Sequence, residues 1–551
     1  MKSLLKNIAV LLLFLLLTAI YFYSFFGTRG LMTGHDLFFH AARAQSMTNI
    51  WSSPVNFKSF IGGIPIAQFY PGLTFFPMSI LLLFQGIIGF LNTFKIYLFI
   101  LTLLTLYSCY FVGKRLKNEM AGFIFAFLYT FSTYRTINIL VRMGIGELIA
   151  MSILPLVMYG FYELFYGDKK KWYILAISIS LLSYTHLLMT FATLIFLTTF
   201  LVIYVCQARL EDIRERFSAL LCAAGVSFLL SSAFIIPFIE QFLFQEIYTT
   251  YAWLPQGERI TTLLGGILLN RLEIFTPGII VFLLLICLAV CYRGLSRWQK
   301  YLLITGLVCF IMTTNLFPWE FFNKTPLKNF QFAWRFNTFA TLFLTFAFAL
   351  YISGTKWARL SLCFLLPLTL VFHIHGWNYF RNNLPSHYPV WEMQSDSELP
   401  VVNGSTFYYD YTNIHVSQES QDIVREHRYF LNGEQVQVGE EITQDQVHIW
   451  LLNHQEGAIL QLPLFRYKGQ VVLVNGQEIE ATVSEQGLTQ VRIPAGNLDI
   501  VVQYRYTLLA ISSCIVSLIA AFMLILHILK SSKKDDIFNR SRRYRKRVKT
   551  M

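Results

Sequence analysis

Residues 96–112 read IYLFILTLLTLYSCYFV and residues 508–529 read LLAISSCIVSLIAAFMLILHIL. Neither run contains Asp, Glu, Lys or Arg, and the second reaches the roughly 20 residues that a helix needs to cross hydrocarbon. No water is available there to pair backbone N–H and C=O groups, so such runs must be helical. Residues 8–26 and 279–290 are apolar in the same way. Hydrophobic residues make up 55% of the 551 and charged residues only 14%, where a soluble domain carries about 25% charged residues. The bilayer is the expected solvent for most of the chain.

The net charge of +13 (44 basic minus 31 acidic residues) is unevenly placed: residues 530–551 hold ten Lys or Arg against two Asp. Basic residues beside spans set orientation and touch anionic lipid, so membrane lipids are expected partners and nucleic acid is not. Further basic clusters lie at 114–117, 169–171, 209–216, 293–300 and 356–359. Placing all of them in the cytoplasm gives about twelve crossings, near 8–26, 94–113, 120–139, 147–166, 172–186, 188–206, 218–238, 276–292, 300–316, 336–353, 359–376 and 507–529, with both termini inside. Residues 1–26 read as an uncleaved first span, since the apolar stretch is long for a signal peptide and lacks an Ala-x-Ala end. All eight cysteines fall in apolar spans, which excludes a disulfide framework or a zinc pattern.

Residues 73–91 are apolar but do not fit as a span. Pro71, Gly72, Pro77, Gln85, Gly86 and Gly89 interrupt or border them, and a crossing there would turn every later basic cluster outward. They are expected to form a re-entrant or interfacial helix on the outer face. The fifth span is about 15 residues, or roughly 22 Å, so its end at His186 should face a cavity below the outer surface. Three outer loops are long, at 27–93, 239–275 and 317–335. Residues 377–506 alternate polar and apolar positions between turns at Asn475-Gly476, Glu485-Gln486-Gly487 and Pro494-Ala495-Gly496, which predicts a small extracytoplasmic β-sandwich. The expected organisation is a transmembrane domain over 1–376, the β-rich domain over 377–506, a last helix at 507–529 and a basic cytoplasmic tail at 530–551.

Chemistry is expected at the outer end. Gly34-His35-Asp36-Leu37-Phe38-Phe39-His40-Ala41-Ala42-Arg43 follows the first span. A partly desolvated Asp36 at a cavity mouth can act as a base toward an acceptor hydroxyl. Two other readings are open: Asp36 as a helix N-cap, or His35, Asp36 and His40 as ligands of a divalent metal. Arg142 and Glu147 sit where the third span turns into the fourth; Arg can grip a phosphate and Glu can orient it, while the bland alternative is a surface ion pair. His186 is either a pocket residue or a histidine bonded to a neighbouring helix. Arg335, in Gln331-Phe332-Ala333-Trp334-Arg335, is either a binding residue or an interfacial arginine that snorkels. Tyr408-Tyr409-Asp410-Tyr411 can stack on sugar rings or fill a β core. No nucleophilic triad, phosphate-binding glycine loop or nucleotide fold is present.

Gly34-His35-Asp36 with Phe39-His40, Phe69-Tyr70-Pro71-Gly72, Gly146-Glu147 with Leu154-Pro155-Leu156, Thr185-His186, Gln331-Phe332-Ala333-Trp334-Arg335 and the stretch from Leu462-Pro463-Leu464 through Asn475-Gly476 to Pro494-Ala495-Gly496 occur in one order along the chain. In this the chain resembles bacterial membrane proteins labelled as related to 6-pyruvoyl-tetrahydropterin synthase, and the larger YfhO-type membrane proteins. The resemblance is to their membrane body, and the zinc chemistry of the soluble pterin synthase is not expected from it. Both families look like C-type (GT-C) glycosyltransferases. The resemblance therefore implies transfer of a sugar from a polyprenyl-phosphate carrier to an extracytoplasmic cell-envelope glycan. By that analogy Asp36 is the catalytic base, with His35, His40, Arg142, Glu147, His186 and Arg335 around the substrate. No cofactor is implied beyond a possible divalent metal. The alternatives are a non-enzymatic transporter or assembly factor for lipid-linked envelope glycans, and a sensor, for which the tail is short.

Overall fold

The computed structural model describes residues 2–23, 30–248, 254–383, 389–399 and 410–549. Among them, eight helices are long and apolar enough to cross a membrane: Leu4–Tyr21, Phe90–Leu116, Ile145–Phe165, Leu187–Val205, Leu210–Phe244, Ala333–Ile352, Ala358–Asn382 and Leu508–Ser531. At the four other expected positions stand shorter helices, Glu119–Thr130 and Trp172–Ser183 of 12 residues, Gly278–Val290 of 13 and Arg297–Met312 of 16. Ile145–Phe165 and Ala333–Ile352 are 89% and 94% buried inside the protein, whereas Ala358–Asn382 and the last helix are 22% buried. The first two are thus central, and the others turn apolar side chains such as Leu518, Ile519 and Phe522 outward, as a hydrocarbon surrounding requires.

The continuous third span expected over 120–139 is broken. Glu119–Thr130 stops, Ser132 is extended, and a second helix runs over Thr133–Leu140 with every residue buried. The Ser132 hydroxyl donates to the Tyr129 carbonyl at 2.8 Å, the local competition by which serine loosens helices. The break carries Arg135 into the interior, where Nη2 donates to the Thr102 and Thr105 hydroxyls at 3.0 and 3.3 Å. Two other helices outrun their expected ends. Ala358–Asn382 passes residue 376, and the last helix continues from Leu508 to Lys549.

The basic loops share one end of the bundle. Glu119 pairs with Lys6 at 2.6 Å and Lys114 at 2.9 Å, and Asn118 donates to the Ser353 carbonyl. Lys171 pairs with Glu163 and Lys169 with Glu215. Tyr166 packs on Tyr204 and Trp298, and Arg297 donates to Gln207. The opposite end collects the long segments. There residues 73–91 form two short helices, Phe76–Leu82 and Gln85–Ile88. Seven residues rise only about 10 Å. Ser79 donates to the Ala44 carbonyl at 2.8 Å, Thr74 to that of Tyr184 at 3.0 Å, and the Phe90 and Leu91 N–H groups to Asp396, so the segment stays at that end.

From Tyr429 to Tyr504 the chain is a strand region with two open five-stranded antiparallel sheets. Gln470–Val474 and Gln477–Ile479 are joined by Asn475-Gly476, both at positive φ (50° and 79°), the geometry that favours Asn-Gly in a two-residue hairpin. Val447, Ile449 and Leu451 alternate inward across from Ile500 and Val502. This region rests on the same end of the bundle: Gln241 donates to Gln68 at 2.7 Å and to the Lys468 carbonyl at 3.0 Å. Of the aromatic run at 408–411, Tyr411 stacks on Phe69 with centroids 5.1 Å apart, a core role, and Tyr408 and Tyr409 lie outside the described residues.

Candidate functional site

The turn Gly34-His35-Asp36 opens the helix Leu37–Ser46. Its backbone is fastened to the turn after Leu140: the His35 N–H donates to the carbonyls of Val141 and Arg142 at 3.1 and 3.0 Å, and the Asp36 N–H to that of Arg142 at 2.9 Å. Gly34 has φ +55°, and a Cβ there would lie 2.6 Å from the Met143 amide nitrogen, so both backbone conformation and close approach demand glycine. Asp36 holds the N-cap position, yet its side chain makes no capping hydrogen bond. Its carboxylate accepts none from any other described residue, and the residue is partly exposed. Burial on its protein side lifts its pKa above the usual carboxylate value; Arg142, then His35 and Arg335, pull against that rise, and Glu147 adds to it. Burial lowers the pKa of His35, with Asp36 opposing.

Arg142 and Glu147 are an interior pair, not a surface one. Their relative exposures are 6% and 1%. Arg142 Nη1 donates to Asn138 Oδ1 at 2.6 Å and forms an ion pair with Glu147. The guanidinium lies 4.1 Å over the Trp334 ring, and Trp334 itself stacks between Phe275 and Phe332, with centroids at 4.7 and 4.9 Å. Glu147 also accepts from the Tyr134 hydroxyl at 2.8 Å and the Thr338 hydroxyl at 2.5 Å. A buried carboxylate with three donors is fully compensated. Arg335 is turned inward rather than snorkelling: Nη1 donates to the Phe330 carbonyl and to Gln331 Oε1, both at 3.0 Å.

His40, Arg43, Tyr70 and His186 form the adjoining wall. Tyr70 meets His40 and His186 edge-on, with centroids at 6.0 and 5.6 Å. The short helix Trp172–Ser183 sets His186 at this depth, and Nδ1 of His186 accepts the Met189 N–H at 3.4 Å, capping the next helix. Its ring faces Gly146, where a Cβ would lie 2.8 Å from His186 Cδ2. His186 thus has a structural bond and a face on the site.

The seven candidate residues therefore converge at one end of the bundle, on four separated parts of the chain. Sequence reasoning missed Tyr134, Asn138 and Thr338, which complete the Arg142–Glu147 network, and the wall residues Arg43 and Tyr70. Arg43 and Tyr70 stand in motifs quoted above; Thr338 lies in an apolar helix that gives no signal. Among the described residues no group of three or more His, Cys, Asp or Glu is placed to hold a metal ion, so His35, Asp36 and His40 do not form a ligand set.

No curated protein matches the chain. A family profile described as 6-pyruvoyl-tetrahydropterin synthase related domain, membrane protein, matches residues 67–382. The match spans more than half of the chain and contains Tyr70, Arg142, Glu147, His186 and Arg335. The chain belongs to this family of membrane proteins.

Proposed function

We propose that the protein is a membrane glycosyltransferase of the C type, moving a sugar from a polyprenyl-phosphate carrier to a cell-envelope glycan on the outer face of the membrane. The observation that carries this reading is Asp36, a carboxylate that accepts no hydrogen bond from a described residue and makes no helix-capping bond, fastened through its backbone beside Arg142. In the reaction the acceptor O–H would lose its proton to Asp36 as its oxygen bonds to the sugar C1. The bond from C1 to the phosphate oxygen breaks, and the lipid phosphate leaves with the electron pair. Arg142 and Arg335 supply the positive charge that the leaving phosphate needs. Glu147 keeps Arg142 in place, and His35, His40 and His186 shape the pocket. With the basic loops in the cytoplasm, the site and the strand region face outward, and the strand region would orient the acceptor. No metal is required by this scheme.

The test is complementation of a deletion strain, read as the sugar content of its surface polymers, with protein level checked by blot. Asp36→Asn should fail to restore the sugar. Full restoration at normal abundance would remove the transferase reading and leave a non-enzymatic transporter or assembly factor for lipid-linked glycans.

A further inference from the structure

Arg43 and His40, one turn apart on the helix Leu37–Ser46, form a buried pair that the transfer scheme does not explain. Arg43 is fully buried. Its guanidinium carbon lies 4.3 Å from the Tyr70 ring centroid and 4.5 Å from that of Phe75. Nη2 donates to the Pro71 carbonyl at 3.1 Å, and Nη1 stands 3.1 Å from His40 Nδ1. Two aromatic faces and a carbonyl hold the cation where it is.

The chemistry of the contact fixes the histidine. An arginine nitrogen carries hydrogens and offers no lone pair, so it donates and His40 Nδ1 accepts. A neutral ring whose Nδ1 accepts carries its proton on Nε2. Protonating Nδ1 would set two N–H groups against each other beside a buried cation. A metal on Nε2 would need a second lone pair, which the ring has only as an imidazolate. Burial, and after it the charge of Arg43, lower the His40 pKa well below its usual value, which agrees with a neutral ring. Nε2 makes no hydrogen bond with a described residue and is not among the fully enclosed polar atoms left unpaired. The ring that carries it stands 6.0 Å from the Tyr70 ring, which in turn meets His186 at 5.6 Å.

We infer that Arg43 is a positioning residue that holds His40 as the Nε2–H tautomer, so that His40 presents a fixed neutral N–H donor to an oxygen of the lipid-linked sugar. His40 is then neither a base nor a metal ligand. The identity of the ligand rests on the transferase reading; the tautomer does not.

Two measurements separate these parts. In ¹⁵N-histidine NMR of the full chain in lipid nanodiscs, with the His40 signals assigned by their loss in His40→Gln, the wild type should show the Nε2–H tautomer alone. Arg43→Gln should show a mixture of tautomers. An Nδ1–H or doubly protonated ring in the wild type overturns the inference, whatever the protein transfers. In complementation, glutamine can place its amide N–H near Nε2 and asparagine cannot. His40→Gln should therefore keep most of the activity, while His40→Asn falls about tenfold, the scale of one lost hydrogen bond. Equal loss in both, at equal abundance and melting temperature, overturns the donor role. If Asp36→Asn restores the strain while the NMR result stands, only the transferase reading fails.

Discussion

The backbone N–H of Asp36 donates to the carbonyl of Arg142 at 2.9 Å, so the candidate base and the candidate phosphate-binding residue are joined through the main chain. Their spacing does not depend on a contact between their side chains. Asp36→Asn should therefore insert and fold normally while losing the proton acceptor. Turnover should fall by about 10²-fold or more, read from surface sugar at matched protein level.

The pH dependence has a definite sign. Burial raises the Asp36 pKa, and Arg142 opposes the rise. A base works only when deprotonated, so activity should climb with pH along a limb displaced above the usual carboxylate range. Arg142→Ala removes the charge that most opposes the rise and should move that limb further up while weakening use of the lipid donor. The same raised pKa means that the protonated form favours folding, a contribution present at low pH and lost as pH rises through the folded pKa. Near neutral pH, Asp36→Asn should melt no lower than the wild type. A limb at the ordinary carboxylate position, unmoved by Arg142→Ala, would contradict the assignment.

What the sequence disclosed follows physical necessity. A run such as 508–529 has no alternative to a helix in hydrocarbon, and Asn475-Gly476 meets the positive φ that its two-residue hairpin requires. Arg142 and Glu147 were visible because they sit five residues apart around one turn. Thr338, which also bonds Glu147, is 191 residues away in a helix whose composition speaks only of the bilayer. The break at Ser132 was hidden by the apolar residues on either side, because hydropathy records burial and not the hydroxyl that loosens the helix. His40 was legible as a site residue, but its partner was not: the Arg43 contact depends on which way both side chains turn.

Glu147 compensates Arg142 in the interior, so removing it should cost more than removing its weaker partners. Glu147→Gln takes from Arg142 the carboxylate that pairs with it directly, and a broken buried pair costs about 3–5 kcal/mol. Thr338→Val removes one donor to a carboxylate that keeps two others, and should cost about 1–2 kcal/mol. Thermal melts in detergent should order the proteins as wild type, Thr338→Val, Glu147→Gln. Equal melting of all three would show that the pair is not enclosed in solution as it is here.

The side of the membrane on which the site opens can be read directly. In a cysteine-free background, Arg115→Cys marks the end that gathers the basic loops, where Lys114 pairs with Glu119, and Asn475→Cys marks a hairpin of the strand region. The excess of Lys and Arg between spans predicts that the first end lies in the cytoplasm. Arg115→Cys should then react with a membrane-impermeant maleimide only after permeabilisation, and Asn475→Cys in intact cells. Nine expected spans separate residues 115 and 475, so the two labels should behave oppositely. The helices at 76–82 and 85–88 are too short to cross, which sets Asp36 on the side opposite residue 115. The reverse pattern would put Asp36 on the cytoplasmic face, away from any envelope glycan, and would end the proposed reaction on topological grounds alone.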